Sequence, residues 1–189
     1  MNKVNEIIHY GKLIDQYNLI SSHSGNISVR IGNNILITKS GTMLGQLKKN
    51  DLTLISFNNK DDKNLKKASM ETIVHRAIYL NSDCSAIIHT HPQFTIILSY
   101  FIDSFSPIDS EGKFILKEIP VIKAKNTIAS LEVADNIKDL VNNYSCAIVR
   151  SHGLFVWSDS LEKAFYLTTA IENSAKIYYF TQLWKRKEN

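Results

Sequence analysis

The sequence predicts an α/β sandwich in which helices pack on a mainly antiparallel sheet. Short apolar segments with strand-like alternation are mixed along the chain with longer segments of helical periodicity. A tight turn at Gly32-Asn33 joins two of the strand-like segments, and residues 146–158 fit two further strands that meet at His152-Gly153. Because such short connections join antiparallel neighbours, this arrangement is expected rather than a regular alternation of parallel strands and helices.

The individual elements follow from periodicity and from capping residues. Helical patterns predict helices over 4–19, 69–81, 93–101, 130–143 and 159–184. Strand-like runs predict the hairpin within 27–41 and further strands over 52–57, 86–91, 114–122 and 146–158. The predicted N-caps are Ser69, Ser130 and Asp159, with Glu162 three residues after the last of them. The polar run 58–67 is interpreted as a surface loop, because neither side of it is large enough for a separate core.

Length and composition indicate one globular domain over residues 1–189. A chain of 189 residues is long enough to bury about 70% of its unfolded surface. The formal net charge is +4 and no block of five like charges occurs, so nucleic-acid binding is not expected. No segment approaches the roughly 20 apolar residues of a membrane span, and the first residues lack the apolar core of a signal peptide. Cys84 and Cys146 are interpreted as buried thiols of a cytoplasmic protein.

Two histidines end the apolar segment 86–91. Positions two apart in a strand face the same side, so His89 and His91 should point together, and Pro92 should end the strand just beyond them. Two neutral imidazoles on one face form half of a metal site. The alternative interpretation is a pair of polar residues at a strand end.

His152 is the third candidate ligand, because its surroundings repeat those of the first two. An apolar strand again ends at a histidine, here followed by Gly153. Three histidines with an open coordination position are typical of a catalytic zinc site, whereas a structural site closes all four positions. Taken alone, His152 also fits a loop histidine with ordinary hydrogen bonds.

Other polar residues stand where they can complete such a site. Glu71 lies near the start of the predicted helix 69–81, where the helix dipole stabilises a carboxylate. An ordinary first-turn glutamate is the alternative, and His75, four residues on, fits a local Glu–His pair. The turns at 24–26 and 39–41 can expose backbone N–H groups as an anion-binding nest, to which Lys39 and Ser40 add donors.

In this order, the segments resemble the class II aldolase/adducin family. The resemblance is carried by SGNISVR (24–30), ILITKSG (35–41), KKASMETIVHRAIY (66–79), AIIHTHPQF (86–94) and RSHGLFVWSDSLEKAF (150–165), and it extends from about residue 5 to 180. It implies a three-layer α/β/α fold and a homotetramer with active sites between neighbouring subunits. It also implies zinc, or another divalent cation such as Mn²⁺ or Co²⁺, on His89, His91 and His152.

The resemblance further implies roles for side chains around the metal. Glu71 matches the family's catalytic acid/base, which also ligates the resting metal. The family's phosphate pocket falls on Gly25, Asn26, Ser40, Gly41 and Ser69. The implied activity is aldol cleavage or formation of a phosphorylated ketose, of the fuculose or ribulose 1-phosphate type, through a metal-stabilised enediolate of dihydroxyacetone phosphate.

Two positions depart from the family's aldolase pattern. Met70 stands where sugar-phosphate aldolases commonly have a second serine, which removes a hydroxyl donor worth about 1.5–3 kcal/mol to a charged group. Residues 106–114 (SPIDSEGKF) lack the tyrosine that aldolases of the family use as a proton donor across the subunit interface. Glu111, ahead of Asp109, is therefore the candidate donor to a neighbouring subunit's metal site, and a solvated turn is the alternative.

Related reactions stay open on the sequence alone. The family's other chemistries include dehydration of methylthioribulose 1-phosphate, epimerisation of a pentulose 5-phosphate and decarboxylation. The chain ends before the C-terminal tail on which epimerases rely, so an epimerase ranks below an aldolase. A non-catalytic adducin-like scaffold is disfavoured, because such members lose the metal ligands that this sequence keeps.

Overall fold

The computed structural model describes residues 2–59 and 61–185. Its strands are β1 (Asn26–Ile31), β2 (Asn34–Thr38), β3 (Leu52–Ser56), β4 (Ala86–Thr90), β5 (Ser104–Phe105), β6 (Ile119–Ile122), β7 (Cys146–Val149) and β8 (Gly153–Ser158). Its α-helices are α1 (Lys3–Gln16), α2 (Thr72–Asn81), α3 (Gln93–Ser99), α4 (Ser110–Ile115), α5 (Leu131–Lys138) and α6 (Leu161–Lys185).

These strands form one sheet in the order β3-β2-β1-β4-β8-β7-β6-β5. Neighbouring strands are antiparallel except for β6 and β7, which run parallel. The predicted turn at Gly32-Asn33 is confirmed, since Ile31 pairs with Asn34 across it. The mainly antiparallel α/β fold predicted from the sequence is therefore confirmed.

Helices cover both faces of the sheet, as the three-layer α/β/α fold requires. One core lies between the sheet and α1, α3 and α6, and it contains Ile88 of β4. The other lies between the sheet and α2 and α5, and it contains Ile87. Adjacent residues of β4 enter opposite cores because side chains alternate along a strand. The central strand that carries the first histidine is thus buried on both faces.

The region between β5 and β6 differs from the sequence prediction of a strand over 114–122, which is wrong for its first half. Ser110–Ile115 form helix α4, and the strand begins only at Ile119. Asp109 caps this helix, since its side chain accepts a hydrogen bond from the Gly112 backbone N–H at 2.7 Å. Phe114 is 92% exposed, so its apolar character does not mark a buried strand. Strand β5 is a further element that the sequence pattern does not predict.

Two of the three predicted N-caps are wrong by one or two residues. Helix α2 begins at Thr72, and Ser69 Oγ accepts a hydrogen bond from the Glu71 N–H at 3.3 Å instead of capping the helix. Helix α6 is capped by Ser160, whose Oγ accepts a hydrogen bond from the Lys163 N–H at 3.2 Å. Ser130 caps α5 as predicted, through a hydrogen bond from the Val133 N–H.

The prediction that Cys84 and Cys146 are buried thiols is confirmed, since both are buried and free. Burial raises the pKa of Cys146 to about 12. Within the described ranges, none of the helices has the length and apolar character needed to cross a membrane.

Candidate metal centre and active-site cleft

Three histidine rings meet at one end of the central strands. His89 lies on β4 directly opposite Phe155 of β8, and His91 follows the end of β4. His152 lies in the turn between β7 and β8. The ring centroids of His89 and His91 are 4.8 Å apart, and those of each of the other two pairs are 4.9 Å apart. The sheet register therefore brings together the three residues that the sequence proposes as metal ligands.

The ring nitrogens of this cluster are spaced as ligands of one ion. His89 Nδ1 donates to the Leu154 carbonyl oxygen at 3.1 Å, so its Nε2 keeps a lone pair. That Nε2 is 3.0 Å from His91 Nε2, and one nitrogen from each of the three histidines lies within 4.8 Å of the others. Two nitrogens bound to tetrahedral zinc at about 2.0–2.1 Å are roughly 3.3 Å apart. The His89–His91 spacing therefore fits two ligands of one divalent cation, and the 4.8 Å limit leaves the third nitrogen within about 1.5 Å of the same spacing.

Burial keeps all three imidazoles neutral near pH 7. The pKa of His89 lies well below its ordinary value because of burial and, next, the neighbouring histidine rings. Burial and then His152 lower the pKa of His91 to about 4, and burial also lowers the pKa of His152. The His89 ring is further fixed by stacking on Phe155, with 3.9 Å between centroids. Neutral imidazoles are the form that binds a cation.

Gly153 leaves the space that the histidine rings occupy. A Cβ atom at this position would lie 2.4 Å from the Thr90 carbonyl oxygen, 2.9 Å from His91 Cδ2 and 3.2 Å from His89 Cε1. Any side chain at position 153 would therefore push β8 away from the end of β4. The His152-Gly153 pair provides both the third candidate ligand and the room for the first two.

A buried carboxyl group stands beside the histidines. Glu71 immediately precedes α2, and its Oε1 lies 3.7 Å from His152 Nε2. The same oxygen accepts a hydrogen bond from the Ala129 N–H at 2.9 Å. Burial raises the pKa of Glu71 to about 7, although the hydrogen bond from Ala129 acts in the opposite direction. The group can therefore exchange a proton near neutral pH.

Ala129 is a site residue that sequence reasoning misses. It lies 58 residues after Glu71 along the chain, in the connection between β6 and α5, and its backbone φ is +48°. Its contribution is a backbone N–H, which any residue except proline supplies, so the side-chain pattern gives no signal. Ile128 from the same connection is 60% exposed and lines the cleft above the histidines.

The residues implied to bind phosphate lie in the same cleft as the histidines. The cleft has a volume of about 240 Å³, and its lining includes Gly25, Asn26, Ser40, Gly41 and Ser69. The pairing of β1 with β4 sets Asn26 opposite His89, and a bridge between Lys39 and Ala68 brings the second turn beside Glu71. Asn26 is 5% exposed, and its Oδ1 has no hydrogen-bond partner among the described residues. Further lining residues not singled out by the sequence are His23 and Thr42.

Glu111 lies apart from this cleft within its own chain. It is in the first turn of α4 and lines a separate cavity of about 300 Å³, which Tyr17 and Asn173 also border. Burial tends to raise the pKa of Asp109, the other candidate donor, but hydrogen bonds from the Gly112 N–H and from Ser174 hold it below its ordinary value. The role of Glu111 toward a neighbouring subunit stays a prediction.

Known proteins share this sequence pattern and this architecture. The class II aldolase and adducin N-terminal domain family matches residues 5–179. An L-fuculose phosphate aldolase from Methanococcus maripaludis is 29% identical over 180 residues, which cover 95% of this chain and 97% of the relative. A methylthioribulose-1-phosphate dehydratase from Schizosaccharomyces japonicus is 29% identical over 176 residues, which cover 81% of this chain and 76% of the relative. The crystal structure of an L-fuculose-1-phosphate aldolase from Thermus thermophilus matches with a TM-score of 0.90 at 31% identity, covering 96% of this chain and 95% of that one.

Proposed function

The chain belongs to the class II aldolase and adducin family, and we propose that it is a metal-dependent aldolase that cleaves or forms a phosphorylated ketose. Membership and the named relatives support an enzyme of the lyase type. The observation that carries the proposal is the content of one cleft. It holds three neutral imidazoles, a buried carboxyl group with a pKa of about 7 and two polar turns suited to an anion.

The proposed metal ligands are His89, His91 and His152, with Glu71 as a further ligand in the resting site. Imidazole nitrogens with a carboxylate suit zinc, the expected ion, and they also accept Mn²⁺ or Co²⁺. A bound divalent cation supplies Lewis-acid stabilisation of the negative charge that develops on the substrate's carbonyl oxygen. The chain contributes fixed ligand positions, as the hydrogen bond from His89 to Leu154 illustrates.

Glu71 is the proposed acid/base at the carbon next to the carbonyl. In the cleavage direction the 4-hydroxyl passes its proton to Glu111 of a neighbouring subunit, the C3–C4 bond breaks to release an aldehyde, and C3 receives a proton from Glu71, which regains one from solvent before the next turnover. A pKa near 7 suits a group that gives and takes a proton at neutral pH. The Ala129 N–H holds Oε1, while Oε2 has no partner among the described residues and stays available for proton exchange.

The substrate phosphate is proposed to bind the turns at 24–26 and 39–41 together with Ser69. Backbone N–H groups in such turns form concave sites for anions. The Ser69 oxygen accepts a hydrogen bond from the Glu71 N–H, which leaves its hydroxyl hydrogen to donate to a phosphate. Met70, 65% exposed at the cleft, supplies no hydroxyl, so the pocket has one donor fewer than the aldolase pattern.

We further propose a cytoplasmic homotetramer whose neighbouring subunits complete the active site. Large apolar side chains are exposed on the single chain, among them Phe101 at 81% and Phe114 at 92%, and their burial against a neighbour would be favourable. Phe114 and Glu111 lie on the same short helix, α4. An interface at Phe114 would therefore bring Glu111 close to a second chain, as its proposed role of proton donor requires.

Dehydration of a ketose 1-phosphate is the second candidate, because one relative is a methylthioribulose-1-phosphate dehydratase. Both reactions move a proton at the carbon next to a carbonyl group, so the same histidines and Glu71 serve either one. Their products differ. Aldol cleavage gives two products that together keep every atom of the substrate, whereas dehydration gives one product and releases water.

Product analysis by mass spectrometry tests the proposal. The protein, loaded with Zn²⁺, Mn²⁺ or Co²⁺ in parallel, is incubated with fuculose 1-phosphate, ribulose 1-phosphate and methylthioribulose 1-phosphate. We expect dihydroxyacetone phosphate and an aldehyde from at least one of the first two, whereas loss of water alone would support the dehydratase. The Glu71→Gln variant, purified identically, should be about 10²–10⁴-fold slower. Equal activity of this control would assign the turnover to a contaminant or to another residue.

A further inference from the structure

Glu172 makes three hydrogen bonds to the start of a different helix. It lies on α6, and its Oε1 accepts from the Phe94 N–H at 2.9 Å. Its Oε2 accepts from the Thr95 N–H at 2.9 Å and from the Thr95 hydroxyl at 2.7 Å. Thr95 is fully buried. One carboxylate thus binds two consecutive backbone N–H groups of the first turn of α3.

This contact replaces a cap that α3 lacks in its own sequence. The N-cap residue is Pro92, whose side chain has no hydrogen-bonding atom. The N–H groups at the second and third helical positions are the ones that a side-chain cap normally satisfies, and here they belong to Phe94 and Thr95. A carboxylate at this place is also favoured by the positive end of the helix dipole. Glu172 therefore caps α3 from outside.

The capped turn lies directly after His91. The His91 backbone N–H donates to the Leu19 carbonyl oxygen at 2.9 Å, and three residues later Glu172 holds Phe94. The segment from 91 to 95 is therefore fixed at both ends. The His89 ring is oriented by its own contacts with Leu154 and Phe155. Among the described residues, the His91 ring lies against Gly153 and the other two histidines, and no hydrogen bond from outside the cluster orients it, so its place depends on the backbone that carries it.

We propose that Glu172 is a positioning residue for the metal centre, which holds the first turn of α3 and thereby keeps His91 against the other two histidines. The proposal rests on the proposed metal centre. Removing the carboxylate frees the first turn of α3, and the His91 nitrogen then samples positions in which it no longer faces the same point as His89 Nε2. Metal affinity falls as a result, although Glu172 touches neither the ion nor the substrate.

Titration of the metal-free protein with Co²⁺, followed by its visible absorption, tests this inference. Groups that support metal ligands typically contribute about 10–100-fold in affinity. For Glu172→Ala we expect a Co²⁺ dissociation constant raised about tenfold, with an altered absorption spectrum. For Glu172→Gln, whose amide oxygen still accepts hydrogen bonds, we expect a smaller increase of about threefold.

Thr168→Val is the matched control, because Thr168 is buried one turn earlier on α6 and its hydroxyl donates to the Ala164 carbonyl oxygen. This variant loses a buried hydrogen bond within α6 and keeps the hydrogen bonds of Glu172 to α3, so its Co²⁺ affinity should equal that of the wild type. Affinities of Glu172→Ala and Glu172→Gln within a factor of two of the wild type would overturn the proposal, as would an equal loss in Thr168→Val. If Glu172→Ala does not fold, Glu172→Gln decides by the same criterion. A wild-type protein that binds no Co²⁺ would refute the metal centre itself and this proposal with it.

Discussion

Replacement of Gly153 by alanine should loosen the histidine centre through a steric clash between two strands. The added methyl group would lie 2.4 Å from the Thr90 carbonyl oxygen, whereas real Cβ contacts shorter than 3.0 Å essentially do not occur. The start of β8 and the end of β4 must therefore separate by at least about 0.6 Å, because the obstacle is backbone that no rotamer change can move. His91 Cδ2, at 2.9 Å, would also have to move.

The expected magnitude follows from this displacement. Overpacking of a buried position typically costs about 1–3 kcal/mol, which for a chain of this size lowers Tm by about 2–12 °C. Metal affinity should respond more strongly to this displacement than stability does, because a metal–ligand distance can change by only about 0.2 Å before binding weakens. We expect a Co²⁺ or Zn²⁺ dissociation constant raised at least about tenfold, with His152 moving away from the other two ligands.

Gly32→Ala is the matched control for this experiment. Gly32 lies in the β1–β2 turn with φ of +55° and with nothing within 4 Å of an added Cβ, so its replacement costs only backbone strain. That strain is about 1–2 kcal/mol, similar to the loss expected at position 153 but remote from the histidines. Thermal unfolding and metal titration of both variants separate the two effects. Equal metal affinities at equal loss of Tm would refute the steric argument.

The remaining predictions concern the metal, the acid/base, the phosphate pocket and the proton donor. His152→Ala should lose the bound divalent ion, and full occupancy by elemental analysis would exclude this ligand. In the metal-free protein, the raised pKa of Glu71 contributes stability that is present below its unfolded value of 4.5 and is lost as pH rises through about 7. Between pH 5 and pH 8, the free energy of unfolding of Glu71→Gln should therefore rise by about 2–3 kcal/mol relative to that of the wild type. Denaturant unfolding across this range measures the difference, and parallel pH profiles would contradict the prediction. Ser69→Ala should raise KM for the phosphorylated substrate about tenfold or more, since a hydrogen bond to a charged group contributes about 1.5–3 kcal/mol, and an unchanged KM would place the phosphate elsewhere. Glu111→Gln should lower kcat with little change in metal content, and unchanged kinetics would leave it a surface residue of α4.

The candidate ligands could be predicted from sequence because local rules determine where they lie. The period of two along β4 gives His89 the same face as Ile87, and the apolar runs around His152 give the adjacent strands β7 and β8. Their convergence then follows from the antiparallel pairing of β4 with β8. The three-layer architecture is also confirmed, although its layers were implied by the family resemblance and not by periodicity.

The wrong predictions of secondary structure also have local causes. Phe114 and Ile115 look like the start of a strand, yet Asp109 offers its side chain to the Gly112 N–H and begins a helix there. Phe114 is apolar but exposed, so its presence does not indicate a buried strand. The apolar pattern therefore predicted a strand where the chain forms a helix. At α6, Asp159 and Ser160 both have capping side chains, and periodicity cannot distinguish neighbouring residues at a helix end.

The contact between Ala129 and Glu71 illustrates a different limit of sequence prediction, because it depends on the tertiary fold and uses only a backbone N–H.

The position of Glu71 also bears on which reaction the site performs. Aldol cleavage and dehydration both need a second group that handles the proton of a substrate hydroxyl, besides the group at the carbon next to the carbonyl. Among the described residues that line the cleft, Glu71 is the single carboxylic acid. If Glu71 serves the carbon, the group proposed to handle the hydroxyl proton is Glu111 of a neighbouring subunit, which is why the kinetics of Glu111→Gln and the products of the ketose 1-phosphate panel must be interpreted together.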